Sequence, residues 1–389
     1  MDNLSMVFSF FHPNIIIGIG AVENVGKIAQ EIGATKALIV TDAGVASAAL
    51  LDVIKNSLQK GRIEFGIFEG CLPDAPLNVI EECTKTVKKG NYNLIIGVGG
   101  GSVIDTAKVA SLRLASEVDV RNILGFDQVK ESGIPKIFIP TTAGTGSELT
   151  RAAVITDTKD GQKKVIFSKY LRANTAIIDP LMTLNLPPKV TADSGMDALS
   201  HAIEAYGSWK ANIISDMYAE KTIQLVTENL CMAYAKGRKH PEARYKLSVA
   251  AALGILAGMG SGSGLAHSMN YPIAVKAKIT HGAALGIILP YVMEYNLVGN
   301  PSKYAKIADL MGENTQGLSQ MDAAQKSAEA VRKLAKSLGM PQRLQDVGIK
   351  KEDICEFVDY LFNFQLYQIE NNPRDLTRED ATRIFEAAL

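Results

Sequence analysis

The sequence predicts an α/β half followed by an all-helical half, and three observations carry that expectation. Short apolar runs alternate with amphipathic stretches from about residue 14 to 180. A change of composition follows Leu186-Pro187-Pro188. Beyond it there is no convincing alternating strand, only long helical patterns rich in Ala, Leu, Met and Glu. With 389 residues and 47% hydrophobic content, the chain can bury two cores. We therefore read 1–187 as an α/β domain and 188–389 as a helical one.

Residues 14–18, 37–41, 64–68, 94–98, 136–140 and 176–179 read as strands, being short, β-branched and bounded by turn residues. Helical spacing occupies 22–32, 50–59, 77–88 and 103–115 between them. Strands alternating with helices make a parallel sheet. Lys+Arg and Asp+Glu both number 41, so the chain has no net field of the kind that draws proteins to nucleic acid or an anionic membrane. A small molecule is the expected partner. Cys71, Cys83, Cys231 and Cys355 form no CxxC pair, which fits a reducing cytoplasm. No basic leader opens the chain, and Gly or polar residues break the apolar runs before membrane-spanning length.

Two segments suit a nucleotide. The strand at 94–98 runs into Gly99-Gly100-Gly101-Ser102 and then a helix. Such a turn exposes backbone N–H groups and the positive end of the helix dipole, which suits a pyrophosphate. The loop from Pro140 to Glu148, with Thr141, Thr142 and Thr145, also follows a strand and is rich in small hydroxyl residues. Asp42, at the end of the strand 37–41, can accept bonds from a ribose diol and repel a 2′-phosphate, although Asp is also a common helix cap. Gly18-Ile19-Gly20 begins like a dinucleotide fingerprint, but Glu23 stands where the third glycine belongs, and we reject it.

Helical spacing sets Asp197 and His201 one turn apart on one face, where both can reach a single ion. His267 and His281 lie fourteen residues apart among apolar and glycine neighbours, each able to ligate if two helices face one another. Three imidazoles and a carboxylate suit Fe²⁺ or Zn²⁺. His12 and His240 read as surface residues.

These residues resemble the iron-containing alcohol dehydrogenase family over nearly the whole chain. Its markers recur in order: Thr41-Asp42, Gly99 to Ser102 with Asp105 and Lys108, Thr141 to Glu148, Ile178-Asp179-Pro180, Leu186-Pro187-Pro188, Gly195 to Tyr206, and the His267/His281 pair. The resemblance implies a Rossmann-like N-terminal domain and a helical C-terminal domain, the architecture shared with dehydroquinate synthase. It implies that Asp197, His201, His267 and His281 carry the metal, Fe²⁺ first and Zn²⁺ as the alternative. Gly100, Gly101, Ser102, Asp105, Thr141, Thr142 and Thr145, with Asp42, Lys163 and Leu184, fall at cofactor positions for NAD, with NADP as the alternative. The implied activity is reversible hydride transfer between a metal-held short alcohol, diol or hydroxyacid and nicotinamide, in a cytoplasmic homodimer or larger homo-oligomer. Many members carry a relay histidine where this chain has Tyr271, so Tyr271 is the candidate there. Arg151 and Tyr271 could receive an anionic tail, whereas Phe364, Leu366 and Tyr367 would suit a short neutral substrate. Two other readings are weighed: a dehydroquinate synthase-like lyase or cyclase, and a non-enzymatic nucleotide or metal sensor.

Overall fold

The computed structural model describes residues 10–112, 119–262 and 264–389. Two compact units are present, Phe11–Asn185 and Leu186–Leu389, and Phe10 belongs with the second. The first holds nine strands among the described residues: β1 (Asn14–Ile17), β2 (Lys36–Val40), β3 (Glu64–Phe68), β4 (Leu94–Gly99), β5 (Gly125–Phe126), β6 (Lys136–Pro140), β7 (Ala152–Thr156), β8 (Lys163–Phe167) and β9 (Thr175–Ile178). Six form one all-parallel sheet in the order β1-β9-β6-β4-β2-β3. These correspond to the six strands expected from sequence. The other three, β5, β7 and β8, make a small separate sheet that the sequence reading did not assign, since one is only two residues long and another opens with two lysines.

The helices of this unit are α1 (Val25–Glu31), α2 (Ala43–Ser47), α3 (Leu51–Lys60), α4 (Leu77–Lys89) and α5 (Gly101–Ser111). The end of the helical reading at 103–115 lies outside the described residues. Neighbouring strand residues point to opposite faces, so Ile39, Ile96, Val98 and Ile139 pack with Val25, Ile28, Ile54 and Leu58 of α1 and α3. Leu38, Val40, Ile95 and Phe138 pack with Cys83, Val87, Val103 and Ala107 of α4 and α5. Each fully buried aliphatic or aromatic side chain in these layers contributes about 1.5–3 kcal/mol. The chain runs from β2 outward to β3 and then returns to place β4 on the other side of β2. The loop after β2 is tied to the end of β4, with Thr41 Oγ1 donating to the carbonyl of Val98 at 2.8 Å. Ligands of parallel α/β sheets bind at such a reversal, outside the carboxyl ends of the strands.

The second unit is helical throughout its described residues: α6 (Pro188–Gly207), α7 (Ile213–Lys236), α8 (Pro241–Ser261), α9 (Leu265–Ala277), α10 (His281–Asn296), α11 (Pro301–Leu310), α12 (Gln320–Ser337), α13 (Ile354–Phe364), α14 (Leu366–Ile369) and α15 (Arg378–Ala388). Buried α6 packs against α7, α8 and α10. One expectation needs correction: His281–Gly299 has the length and apolarity of a membrane span. It is 72% buried inside the unit and packs against α6, α9 and α12, so burial in a protein core accounts for its composition.

A buried polar knot fastens α5 to the segment before β7. Lys108 Nζ, wholly buried, donates to Ser147 Oγ at 2.7 Å, Thr150 Oγ1 at 2.9 Å and the carbonyl of Ala152. Ser147 Oγ donates to Asp105 Oδ1, and Asp105 Oδ2 accepts from Val154 N at 3.0 Å. Beside this knot, burial pushes the Glu148 carboxyl up to about 7, against the opposing pull of Lys108. Its ordinary value is 4.5, so the folded state holds a proton that the unfolded state has released between those values. That stability contribution is complete below about pH 4.5 and is lost as pH rises through 7. Wild type is therefore expected to lose up to about 3 kcal/mol more stability than Glu148→Gln between pH 5 and pH 8. Chemical denaturation at the two pH values checks this, and identical losses in both proteins would contradict it.

Candidate metal and nucleotide sites

Three helices bring the candidate metal-binding side chains together. On α6, Asp197 and His201 lie one turn apart and point the same way, both inside the helical unit. His267 stands in the first turn of α9, and His281 is the first residue of α10. The start of α10 is held against α6 twice. Thr280, which caps α10, donates from Oγ1 to Asp193 Oδ2 at 2.6 Å. Gly282 lies so close to α6 that a Cβ there would stand 1.9 Å from the carbonyl oxygen of Asp193.

The donor atoms converge on one point. Asp197 Oδ1 lies 3.7 Å from His201 Nδ1, 3.6 Å from His267 Nε2 and 3.7 Å from His281 Nε2. Those separations are too long for hydrogen bonds. They match the edges of a coordination shell, since ligands about 2.1 Å from a tetrahedral ion stand roughly 3.4 Å apart. One donor atom each from Asp197, His267 and His281 fits within a mutual 4.8 Å. His201 falls outside that tightest group, but its ring stacks on His267 with centroids 4.4 Å apart. Asp197 Oδ1, His201 Nδ1 and His267 Nε2 are buried with no hydrogen-bond partner. Leaving such groups unsatisfied costs about 1–3 kcal/mol each, and a divalent ion would satisfy all three at once.

The charges respond accordingly. Burial opposes the Asp197 carboxylate, but His201, His267 and His281 outweigh it and hold the group below the usual carboxylate range. Burial lowers His201 to about 4 despite Asp197 beside it. For His267 burial again disfavours the cation, yet the Glu204 and Asp197 carboxylates together hold it up to about 10. A centre that has to accept so much positive charge in a dry place is suited to a cation.

Glu204 was not assigned a role from sequence. It sits on α6 one turn beyond His201, buried, with Oε2 against His267 Nδ1 and Oε1 accepting from the backbone N–H groups of Ala266 and His267. Its spacing of seven from Asp197 placed it on the ligand face, a signal available in the sequence. Tyr271, one turn after His267, is buried with its ring 5.5 Å from that of His281. Around these residues Leu265, Ala266 and Met269 are fully buried apolar groups. Phe364 and Leu366 are exposed, and Tyr367 is half-buried. His12 is exposed, and His240 is the half-buried residue preceding α8.

In the other unit, α5 begins on the glycine turn with no side-chain cap at Gly100. A Cβ at Gly100 would stand 3.4 Å from Thr142 Cγ2, and one at Gly101 3.0 Å from Thr145 Oγ1, so glycine lets the turn lie against the threonine loop. Thr141 N donates to the carbonyl of Gly99 at 3.0 Å. Ser102 Oγ accepts from Asp74 N at 2.9 Å, and Lys163 Nζ donates to Asp74 Oδ1 at 2.7 Å. Gly100, Gly101, Ser102, Thr141, Thr142, Thr145 and Lys163 thus gather around one helix start. Asp42 lies at the neighbouring strand end and caps α2, its Oδ1 accepting from Val45 N at 2.9 Å. Asp105 is different. Its two oxygens are taken up in the buried knot, which gives it a structural task. Leu184 is half-buried just after the turn at Pro180–Thr183. The rejected glycine pair, Gly18 and Gly20, follows the sheet-edge strand β1, and the nearby Val22 N donates to Asp179 Oδ2 at 3.2 Å. Arg151 pairs with Asp127 at 3.7 Å on the surface.

Comparison with known proteins accounts for both halves. Residues 13–180 match the family described as iron-containing alcohol dehydrogenase, and residues 191–389 match its C-terminal counterpart. The sulfoacetaldehyde reductase of Bilophila wadsworthia is 36% identical over 96% of this chain and 96% of its own. The NAD-dependent methanol dehydrogenase of Bacillus methanolicus is 35% identical, covering 98% of this chain and 99% of its own. A crystal structure of a 1,3-propanediol oxidoreductase superposes with a TM-score of 0.95 at 34% identity, covering 99% of this chain and all of that one.

Removing either His267 or His281 takes one donor from the three-residue group. His267→Ala and His281→Ala are each expected to cut the divalent ion retained after gel filtration by at least about tenfold and to abolish turnover. Metal analysis of the purified variants, with far-UV circular dichroism to confirm folding, is the check. A folded variant that keeps wild-type metal content removes that residue from the ligand set.

Proposed function

The chain belongs to the iron-containing alcohol dehydrogenase family, which makes it a nicotinamide-linked oxidoreductase of alcohols and aldehydes, and we propose that Asp197, His201, His267 and His281 hold its divalent ion. The observation that carries the proposal is the convergence of three unpartnered buried donor atoms within one small volume. We assign Fe²⁺ to this site on family membership, with Zn²⁺ the alternative, since imidazole and carboxylate donors suit both ions equally. When bound, such an ion supplies positive charge to the substrate oxygen while the nicotinamide gives or takes the hydride.

The remaining tasks fall to residues. Asp197 supplies the anionic ligand, and the three imidazoles keep the centre's net charge positive once the ion is present. The glycine turn at Gly100 and Gly101, with Ser102 and the Thr141, Thr142 and Thr145 loop, holds the dinucleotide's phosphates at the start of α5. Asp42 faces the ribose and favours NAD over NADP. Tyr271, close to His281, shapes the substrate end. Matches along both halves of the chain favour this oxidoreductase over a dehydroquinate synthase-like lyase or a non-enzymatic sensor. Four free cysteines fit a reducing cytoplasm, and a homodimer or larger assembly is the expected form.

For substrate we assign a short neutral aldehyde and its alcohol or diol. Arg151 is engaged by Asp127, and on α9 Leu265, Ala266 and Met269 near His267 are buried apolar residues, with Ser268 and Asn270 the polar ones between them. An anionic tail at Arg151 and Tyr271 is the opposing case. Spectrophotometric NAD(P)H consumption with butanal, lactaldehyde and succinic semialdehyde decides between them. The neutral aldehydes are expected to give the higher kcat/KM, and Arg151→Ala is expected to leave the ranking unchanged. Preference for succinic semialdehyde, lost in Arg151→Ala, would establish the anionic substrate instead.

Coenzyme choice has its own test. Because Asp42 also caps α2, a glycine there would lose the cap together with the charge. Asp42→Asn keeps an acceptor for Val45 N and removes only the charge. The ratio of kcat/KM for NADPH to that for NADH is expected to rise about tenfold, equivalent to ~1.4 kcal/mol. A ratio that does not move takes Asp42 out of coenzyme selection.

A further inference from the structure

One buried carboxylate of the helical unit with both oxygens engaged is placed to touch neither ion nor substrate. Glu204 is buried on α6 and uses both oxygens on the opening turn of α9. Oε1 accepts from Ala266 N and, at 3.3 Å, from His267 N. Oε2 meets the His267 ring at Nδ1. The fit leaves no slack, because a Cβ at Gly264 would stand 2.8 Å from Glu204 Oε1. On the other side of the same ring, Nε2 is buried without a partner, 3.6 Å from Asp197 Oδ1.

An ionised carboxylate only accepts hydrogen bonds, so the ring nitrogen facing it must carry a hydrogen. With the ion bound, Nε2 gives up its hydrogen, the ring is neutral, and its single N–H stands on Nδ1 facing Glu204. We propose that Glu204 is a positioning residue: it fixes the orientation and tautomer of His267 so that Nε2 faces the ion as a donor, and it anchors the start of α9 that carries this ligand. The proposal rests on the metal-centre reading above. Outer carboxylates of this kind raise the basicity of the ligand imidazole, and losing them costs about 10–100-fold in metal affinity.

Glu204→Gln separates tautomer control from simple support. Its amide oxygen can still accept from the two backbone N–H groups, but its NH₂ then faces Nδ1 as a donor. Nδ1 must become the acceptor, and the ring hydrogen moves to Nε2, where it blocks ligation. Zn²⁺ competition against a chromophoric chelator, run on wild type, Glu204→Gln and His267→Ala, reads the affinity. Glu204→Gln is expected to bind Zn²⁺ about 10–100-fold more weakly than wild type while its metal-free form melts close to the metal-free wild type.

The protein has five histidines, so ¹⁵N labelling at histidine alone leaves few resonances to resolve. Solid-state ¹⁵N spectra of the Zn²⁺-loaded wild type, with the His267 signals identified by their loss in His267→Ala, are expected to show a protonated Nδ1 and an unprotonated Nε2. Wild-type Zn²⁺ affinity in Glu204→Gln, alongside weakened binding in His267→Ala, overturns the role of Glu204 and leaves the metal site standing. Undiminished affinity in His267→Ala overturns the metal assignment itself. Should Glu204→Gln not fold, the wild-type spectrum alone decides, and an unprotonated Nδ1 on His267 refutes the proposal.

Discussion

The helical unit is organised around a single electrostatic constraint, the Asp197 carboxylate inside a buried shell of imidazoles. Taking a carboxylate out of water is tolerable only if positive charge or hydrogen-bond donors surround it. Here Oδ1 has ring nitrogens at 3.6–3.7 Å from three helices and no hydrogen bond. Protonated histidines could supply part of that charge, but burial drives His201 towards neutrality. A divalent ion would resolve the conflict by satisfying the oxygen and the nitrogens together. Much of the neighbouring architecture serves to hold those nitrogens in place.

That service is visible in how each segment carrying a proposed ligand is fastened to α6. Asp193, one turn before Asp197, accepts from Thr280 and so sets the start of α10, from which His281 projects. Glu204, one turn beyond His201, grips the start of α9, from which His267 projects. Two carboxylates on one helix therefore locate two helix N-termini, where backbone N–H groups lack intrahelical partners and welcome an anion. Farther along α9, Ser268 Oγ donates to Gln368 Oε1 at 2.6 Å and fastens the helix to α14. Glycine at 264 and 282 is required by this arrangement, since either Cβ would collide with the anchoring group or with the α6 backbone.

The N-terminal unit solves a different problem by different means. A pyrophosphate is recognised by backbone, so the important feature is a helix start that other atoms can approach closely. Gly100 and Gly101 provide it, and the threonine loop lies against the turn. The buried Lys108 with Asp105, Ser147 and Thr150 holds that loop to α5, keeping the two polar segments in register. Asp105 falls at a cofactor position of the family, yet both its oxygens and the Lys108 ammonium are engaged in buried hydrogen bonds that tie α5 to the loop.

Local periodicity was enough to read several features from the sequence alone. The six strands of the main sheet, the all-helical second half, the glycine turn and the Asp197/His201 pair all follow from spacing, because alternation and the 3.6-residue turn are properties of a single segment. Other features required tertiary structure. The three strands of the small sheet are short and carry little pattern of their own. His267 and His281 become neighbours only through the packing of α9 and α10, a relation between segments that no spacing encodes. The membrane-like apolarity of α10 could not reveal from sequence whether lipid or protein surrounds it, and packing against α6, α9 and α12 gave the answer. Whether Asp105 faced ligand or core, and whether Glu204 held water or His267, depended on which atoms lay across from each carboxylate, and only the folded chain places those atoms.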